Sequence, residues 1–367
     1  MIEKCRREKR QPLQPMSCKI SFKIESNMLT MKRLLLVITM AVLLNQLNAQ
    51  NRLSVQASRE EIIALTPDWK GERFHDGRPK VSDDILKRMK PVTIEEAWEI
   101  VNGAGYRYQM AEGWGQIINP DSVLVGRAYT AMFMPGRPDV WRAIDSIGRK
   151  DSVITPDGKK VARRAQNVWA VEQLQKGDVY VAYQFGAKKN GPTVGDRVGT
   201  DIYTRTGNGV VYDGALRDVE GMKEFGNFTS YFSSYDPSFH NPGGGTNRDL
   251  TTMLVGINKP TIIKGVTVMP GDVVLGKLGV VYFIPAHLAE RVVVNSERVR
   301  LEDLFGQTRI REGKYTSGQI DARWADNIQK DFTQWLKDNI SRLPVAREQV
   351  QEIIKQREST REQTNSF

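Results

Sequence analysis

The amino-acid sequence predicts an α/β domain with a mixed sheet and helices packed against it, preceded by an N-terminal arm and followed by a C-terminal helical extension. Three observations carry this reading. Strand-like runs alternate with short helical segments through the centre of the chain, a meander of short strands follows, and from His287 onward the pattern is helical.

Composition agrees with a folded protein. The chain has 367 residues and a 40% hydrophobic fraction with seven Trp and twelve Phe, which supplies a sizeable core and excludes a disordered chain. The net charge of +10 has a local origin. Residues 1–50 carry nine Lys and Arg against three acids, a net +6, so the remainder carries only +4 and gives no support to a nucleic-acid partner. The excess sits where targeting sequences sit. Met31-Lys32-Arg33 is a basic start, Leu34 to Leu44 an apolar run, and Ala49 a small residue at a plausible cleavage point. The run is shorter than the about 20 residues a membrane span needs. A signal peptide over 31–50 is therefore expected, with residues 1–30 preceding a better start at Met31, an exported (periplasmic or secreted) product, and no stable membrane span after cleavage. Both cysteines, Cys5 and Cys18, fall in this leader, and three His in the whole chain argue against a multi-histidine zinc site.

The elements follow in order. Residues 51–80 read as an irregular arm anchored by Trp69 and Phe74. Ser82 caps a helix over Asp83 to Met89, with acids in its first turn where the helix dipole favours them. Thr93 and Glu96 form a capping box, and Ile94, Ala97, Trp98 and Val101 share one face of the helix behind it. Leu124 to Phe133 reads as a strand in which Gly126 marks a bulge or a close backbone approach. Gly148 to Lys160 reads as a surface loop, Ala165 to Leu174 as a helix, and Val179 to Tyr183 as a strand. A short helix after Asp196 ends at Gly207-Asn208-Gly209, and the strand Gly209 to Gly214 follows. Asp218 to Phe225 starts a helix, and Gly226 to Arg248 reads as a long loop in which His240 is a solvated residue. Strands are expected at Thr261–Ile263, Val266–Val268, Val273–Leu275 and Val280–Ile284. In the extension Trp324, Ile328, Phe332 and Leu336 form an apolar helical stripe, and the charged tail from Val345 is expected to project or fray. This gives a leader (1–50), an arm (51–80), a core domain (81–295) and an extension (296–367).

The chemistry concentrates in two pairs, Gly195-Asp196 and Arg217-Asp218. Two carboxylates and a guanidinium beside turns suit a small oxo-acid bound next to a divalent metal. Arg-Asp pairs are most often surface ion pairs, so the spacing and flanks must carry the weight. They resemble the RraA-like family, which includes the 4-hydroxy-4-methyl-2-oxoglutarate aldolases. Leu124 to Ala131, Gly177 to Val179, Val211 to Asp218 and Gly265 to Asp272 fall in that family's order. Members are often labelled dimethylmenaquinone methyltransferases, but no glycine-rich loop of the kind that holds a methyl donor follows a strand here.

The resemblance implies a swivelling β/β/α sandwich, a homotrimer, and a metal-dependent pyruvate aldolase site near the subunit interface. It implies Asp218 as ligand to Mg²⁺ (or Mn²⁺), Arg217 on the substrate carboxylate, and Asp196 orienting or activating a water. Gly195 and the backbone N–H groups of Arg197 and Val198 would complete the carboxylate seat. The expected reaction is retro-aldol cleavage or oxaloacetate-type decarboxylation of a small 2-oxo acid, releasing pyruvate. The alternative is a non-catalytic binding or regulatory protein of the cell envelope. One departure stands out. The family's acidic turn before the last strand reads Gly276-Lys277-Leu278-Gly279 here, which bears on the substrate more than on the metal.

Overall fold

Alternate residues of the central strands point to opposite faces of one sheet, and both faces are covered. The computed structural model describes residues 36, 38–40, 54–150, 152–154, 160–162, 165–188, 191–240 and 250–365. It divides into two units, Met1–Ser54 and Val55–Phe367. In the first, residues 36 and 38–40 are helical, with Leu36, Ile38 and Met40 exposed. The expected cleavage point and both cysteines lie outside the described residues. No helix among the described residues is long and apolar enough to cross a membrane.

The second unit runs α1 (Arg59–Leu65), α2 (Asp83–Met89), α3 (Ile94–Gly103), β1 (Met110–Ala111), β2 (Gln116–Ile118), β3 (Leu124–Pro135), α4 (Pro138–Lys150), β4 (Ser152–Ile154), β5 (Lys160–Ala162), β6 (Asp178–Gln184), α5 (Asp196–Thr206), β7 (Val210–Leu216), α6 (Val219–Lys223) and β8 (Ser230–Tyr235). It continues with β9 (Thr252–Ile257), β10 (Thr261–Ile263), β11 (Val266–Val268), β12 (Val273–Lys277), β13 (Val280–Ile284), α7 (Ala289–Arg311), α8 (Ser317–Asp321), α9 (Asp326–Asn339) and α10 (Arg347–Asn365).

Nine strands form a mixed sheet in the order β1-β13-β12-β3-β6-β7-β8-β2, with β9 also on β3. The pairs β3–β6, β6–β7 and β7–β8 are parallel, and the others are antiparallel. Tyr129, Tyr180, Ala182, Val210 and Tyr212 face Ile202 of α5, Met222 of α6 and Trp169. Further along the sheet Val125, Val273 and Leu275 pack under α2, α3 and α7. The opposite face, with Val179, Val181 and Val211, is covered by the β10–β11 hairpin through Ile263, Val266 and Val268. Gly126 is the close approach its position predicts: a Cβ there would lie 2.6 Å from the Gly177 carbonyl oxygen.

The arm is held by buried charge. Arg78 is fully buried, with Nη1 2.9 Å and Nη2 3.2 Å from the two Asp178 carboxylate oxygens and Nε 2.7 Å from Asp76. Burial alone would favour the neutral form, but the two carboxylates outweigh it and hold this guanidinium charged. Its face lies over the rings of Phe74 and Tyr129.

Several expectations need correction. The arm is not wholly irregular, because Ser58 accepts the Glu61 N–H and caps α1. On α3 Trp98 is half exposed, and Ile100 takes its place on the buried face. Residues 148–160 are not a loop throughout. Gly148 lies inside α4, where a Cβ would come within 1.9 Å of the buried Trp169 ring, so this glycine serves packing and does not break the helix. Residues 165–174 form two 3₁₀ turns, Gln166–Val168 and Val171–Gln173. The apolar spacing of three at Val168, Val171 and Leu174 fits a three-residue turn as well as an α-helix. Residues 230–235 are strand β8, whose polar composition hid the buried Tyr231 and Phe232.

The C-terminal elements make a further core. α7 has 23 residues and spans roughly 35 Å. Val292 and Val293 serve the sheet, and Leu301 and Phe305 serve a cluster with α9 and α10, so the 295/296 division falls inside one helix. Ile328, Phe332 and Leu336 form the expected stripe on α9, but Trp324 precedes that helix. The tail does not simply project, since Val345, Val350 and Ile354 are buried in the same cluster.

Candidate active site

Two junctions meet beyond the carboxyl ends of the parallel neighbours β6 and β7, the place where open α/β sheets bind ligands. The first leads through Val194-Gly195 into α5; the second is Arg217-Asp218, between β7 and α6. The Arg217 N–H donates to the Val194 carbonyl at 3.3 Å and ties them together.

Gly195 has an extended backbone (φ −126°, ψ −168°) that any residue could adopt, so conformation does not require glycine there. Space does. A Cβ would lie 2.7 Å from Asp218 Oδ2, 3.0 Å from Arg217 Nε and 3.1 Å from Arg217 Cγ. Asp218 itself sits at φ +53°, a left-handed conformation that aspartate tolerates better than most residues and that recurs at functional junctions. Its carboxylate is 3.3 Å from Arg217 Nη1, and both side chains remain partly open to solvent.

Asn167, Thr193, Gly195, Arg197, Val198 and Arg217 line a cleft of about 160 Å³ together with Phe239 and His240. The charged residues of this lining are Arg197 and Arg217, with no carboxylate among them, a composition that suits an anion. The structure thus brings Gly195, Arg197, Val198 and Arg217 to one wall. Asp196 and Asp218 adjoin the cleft without lining it. The Arg197 backbone N–H donates to Asp196 Oδ1 at 2.7 Å, and Arg197 is among the residues that line the cleft.

Sequence reasoning missed the rest of the wall. Asn167 Nδ2 donates to the Thr193 carbonyl at 3.2 Å, and the Thr193 hydroxyl bonds that of Tyr212, which also bonds Gln184. Burial pushes the Tyr212 phenol up, so it stays protonated. His240 is not a solvated loop residue. Its Nδ1 is 3.1 Å from Thr252 Oγ1, its Nε2 is buried with no partner among the described residues, and burial pushes it down to about 4. The imidazole is therefore neutral at pH 7. No local motif marks Asn167, Thr193 or His240; only the fold assembles them. Lys277 is elsewhere: its Nζ donates to the Val92 carbonyl at 2.8 Å and fastens the turn between α2 and α3.

No group of three or more His, Cys, Asp or Glu that could hold a metal occurs among the described residues. Asp218 nevertheless fits an ion that keeps most of its own waters. It is a single carboxylate, partly exposed to solvent beside the cleft.

The Aldolase/RraA family profile, RraA-like, matches residues 79–281, more than half of the chain. The chain belongs to the RraA-like family. Solved structures similar to this RraA-like chain include RraAS2 of Streptomyces coelicolor, described as an unusual member of the RNase ES inhibitor RraA protein family. It is 21% identical, covers 62% of this chain and 98% of its own, and has a TM-score of 0.48. An uncharacterized protein from Pseudomonas syringae pv. tomato is 19% identical, covering 66% of this chain and 94% of its own, with a TM-score of 0.47. A Geobacillus kaustophilus protein described as an S-adenosylmethionine:2-dimethylmenaquinone methyltransferase is 17% identical over 51% of this chain and 93% of its own, with a TM-score of 0.33.

Proposed function

We propose that this RraA-like chain is an exported, divalent-metal-dependent lyase, working as a homotrimer, that cleaves a small 2-oxo acid and releases pyruvate. One observation carries the reading: Arg217 and Asp218 pack directly against Gly195, where an added Cβ would displace both, beside a cleft whose charged lining is two guanidiniums.

The chain's own residues divide the work. Arg217 offers a planar fork that matches a carboxylate in two parallel hydrogen bonds, which lysine cannot do. Arg197 adds a second cation to the lining of the same cleft, and the start of α5 adds the positive end of an 11-residue helix. Asp218 would hold Mg²⁺ or Mn²⁺, which, when bound, supplies Lewis-acid stabilisation of the enolate charge left by the departing fragment. Asp196 keeps its Oδ2 available while Oδ1 accepts the Arg197 N–H, and this oxygen can orient a water or accept the proton lost by the substrate hydroxyl. His240, neutral on the same wall, adds no competing charge.

The test is pyruvate release from a panel of 2-oxo acids, including oxaloacetate and a 4-hydroxy-4-methyl-2-oxoglutarate-like substrate, with and without chelator. The reading expects chelator-sensitive turnover of at least one. Tight binding of such acids without turnover would replace it with a non-catalytic role in the cell envelope.

A further inference from the structure

A second cavity, of about 300 Å³, shares no lining residue with the cleft at Gly195. That volume is where small-molecule sites begin. One wall is the arm loop after α1, with Asp68 and Trp69. The other is formed by Tyr106, after α3, and His287, before α7, with Asp272 of the turn before β12 also in the lining.

The walls are fixed. Arg73 donates from Nη1 to Thr66 Oγ1 and the Gly77 carbonyl, both at 2.8 Å, and from Nη2 to the carbonyls of Thr66 at 2.8 Å and Trp69 at 3.2 Å. Trp69 Nε1 donates to the Glu72 carbonyl at 2.8 Å, which satisfies its one polar atom and leaves the ring for apolar contact. The turn below is seated as closely, since a Cβ on Gly271 (φ +89°) would be 2.6 Å from Pro79 Cδ. A site held this firmly loses little freedom when a ligand enters.

Its charge runs against that of the chain. No Lys or Arg among the described residues lines this cavity, whereas Asp68 and Asp272 do. Asp68 is exposed, and Asp272 is buried, where its Oδ2 accepts the Met269 N–H at 2.8 Å. Two aromatic rings, Trp69 and Tyr106, stand beside them, and the Tyr106 hydroxyl is 3.4 Å from His287 Nε2. The exposed Asp68 carboxylate, aromatic rings and apolar walls, with no lysine or arginine in the lining, suit an organic cation, because the ring quadrupole attracts positive charge.

We infer that this cavity binds a small organic ammonium ion with an apolar body, with Asp68 as its charge partner and Trp69 and Tyr106 as its aromatic walls. The inference does not depend on the lyase reading.

The full chain is titrated calorimetrically at pH 7 with benzylamine, which is protonated there, and with benzyl alcohol, its neutral counterpart. Saturable benzylammonium binding is expected, at least roughly tenfold tighter than the alcohol. Asp68→Asn should weaken benzylammonium by roughly tenfold while leaving the alcohol and the melting temperature unchanged. Tyr106→Leu should narrow the preference for the cation with Asp68 intact. Equal binding of the two probes, unchanged benzylammonium affinity in folded Asp68→Asn, or no saturable binding below about 10 mM would overturn the inference.

Discussion

Gly195→Ala separates the candidate site from the fold more cleanly than any truncation of a charged residue. The backbone at Gly195 is extended, so alanine adopts it without conformational strain. The whole penalty is steric and falls on Arg217 and Asp218. The added methyl carbon would lie 2.7 Å from Asp218 Oδ2, whereas a relaxed C···O contact is about 3.3–3.6 Å, so this oxygen must withdraw by roughly 0.6–0.9 Å. Arg217 Nε, 3.0 Å from the same carbon, must give by a few tenths of an ångström, and its Nη1 is the group that pairs with Asp218. Both side chains are partly exposed and can swing, so the melting temperature should stay within about 3 °C of wild type. A displacement approaching 1 Å costs on the order of 100-fold in rate, about 2.7 kcal/mol of transition-state stabilisation. The assay is kcat/KM for pyruvate release on the best substrate of the panel, paired with thermal melting. A Gly195→Ala protein that melts normally and retains full turnover would refute the placement of the reaction at this junction.

Three further outcomes follow from the packing and the buried charges. Arg78→Met leaves the fully buried Asp178 without its main partner and should cost about 3–5 kcal/mol, lowering Tm by roughly 6–12 °C; adding Asp178→Asn should recover part of that loss in a double-mutant cycle. Gly148→Ala drives a methyl into the Trp169 ring and should destabilise by about 1–3 kcal/mol, read by chemical denaturation. Burial pushes the Asp272 carboxyl up to about 7, so the folded state holds its proton where the unfolded chain has lost it. The contribution of Asp272 to stability therefore falls as pH rises from about 4 to about 7 and is level above that, by a few kcal/mol in all. Asp272→Asn should flatten this slope in melting curves recorded across that range.

The strands of the β10–β13 meander and the capped helices α2 and α3 were legible because local chemistry sets them: turn glycines, a serine cap, and a Thr93–Glu96 capping box that forms as written. What failed was set by tertiary contact. Gly148 reads as a breaker until Trp169 is seen lying against it, and β8 reads as a loop because its burial comes from β7 and β2 on either side. The site divides the same way. Gly195, Arg197, Val198 and Arg217, from the two pairs the sequence singles out and their flanks, line one cleft, whereas Asn167, Thr193 and His240 reach it from three separate segments that share no pattern. The distant role of Lys277 also had no local signal, since its partner carbonyl belongs to Val92, far away in sequence.

The most direct measurement is calorimetric titration of oxalate, a stable mimic of the pyruvate enolate, into the protein with Mg²⁺ present. The account predicts saturable binding that chelation abolishes, that Asp218→Asn abolishes, and that Arg217→Lys weakens by roughly tenfold or more through loss of the bidentate fork. Oxalate binding that persists unchanged in chelator and in Asp218→Asn would contradict it.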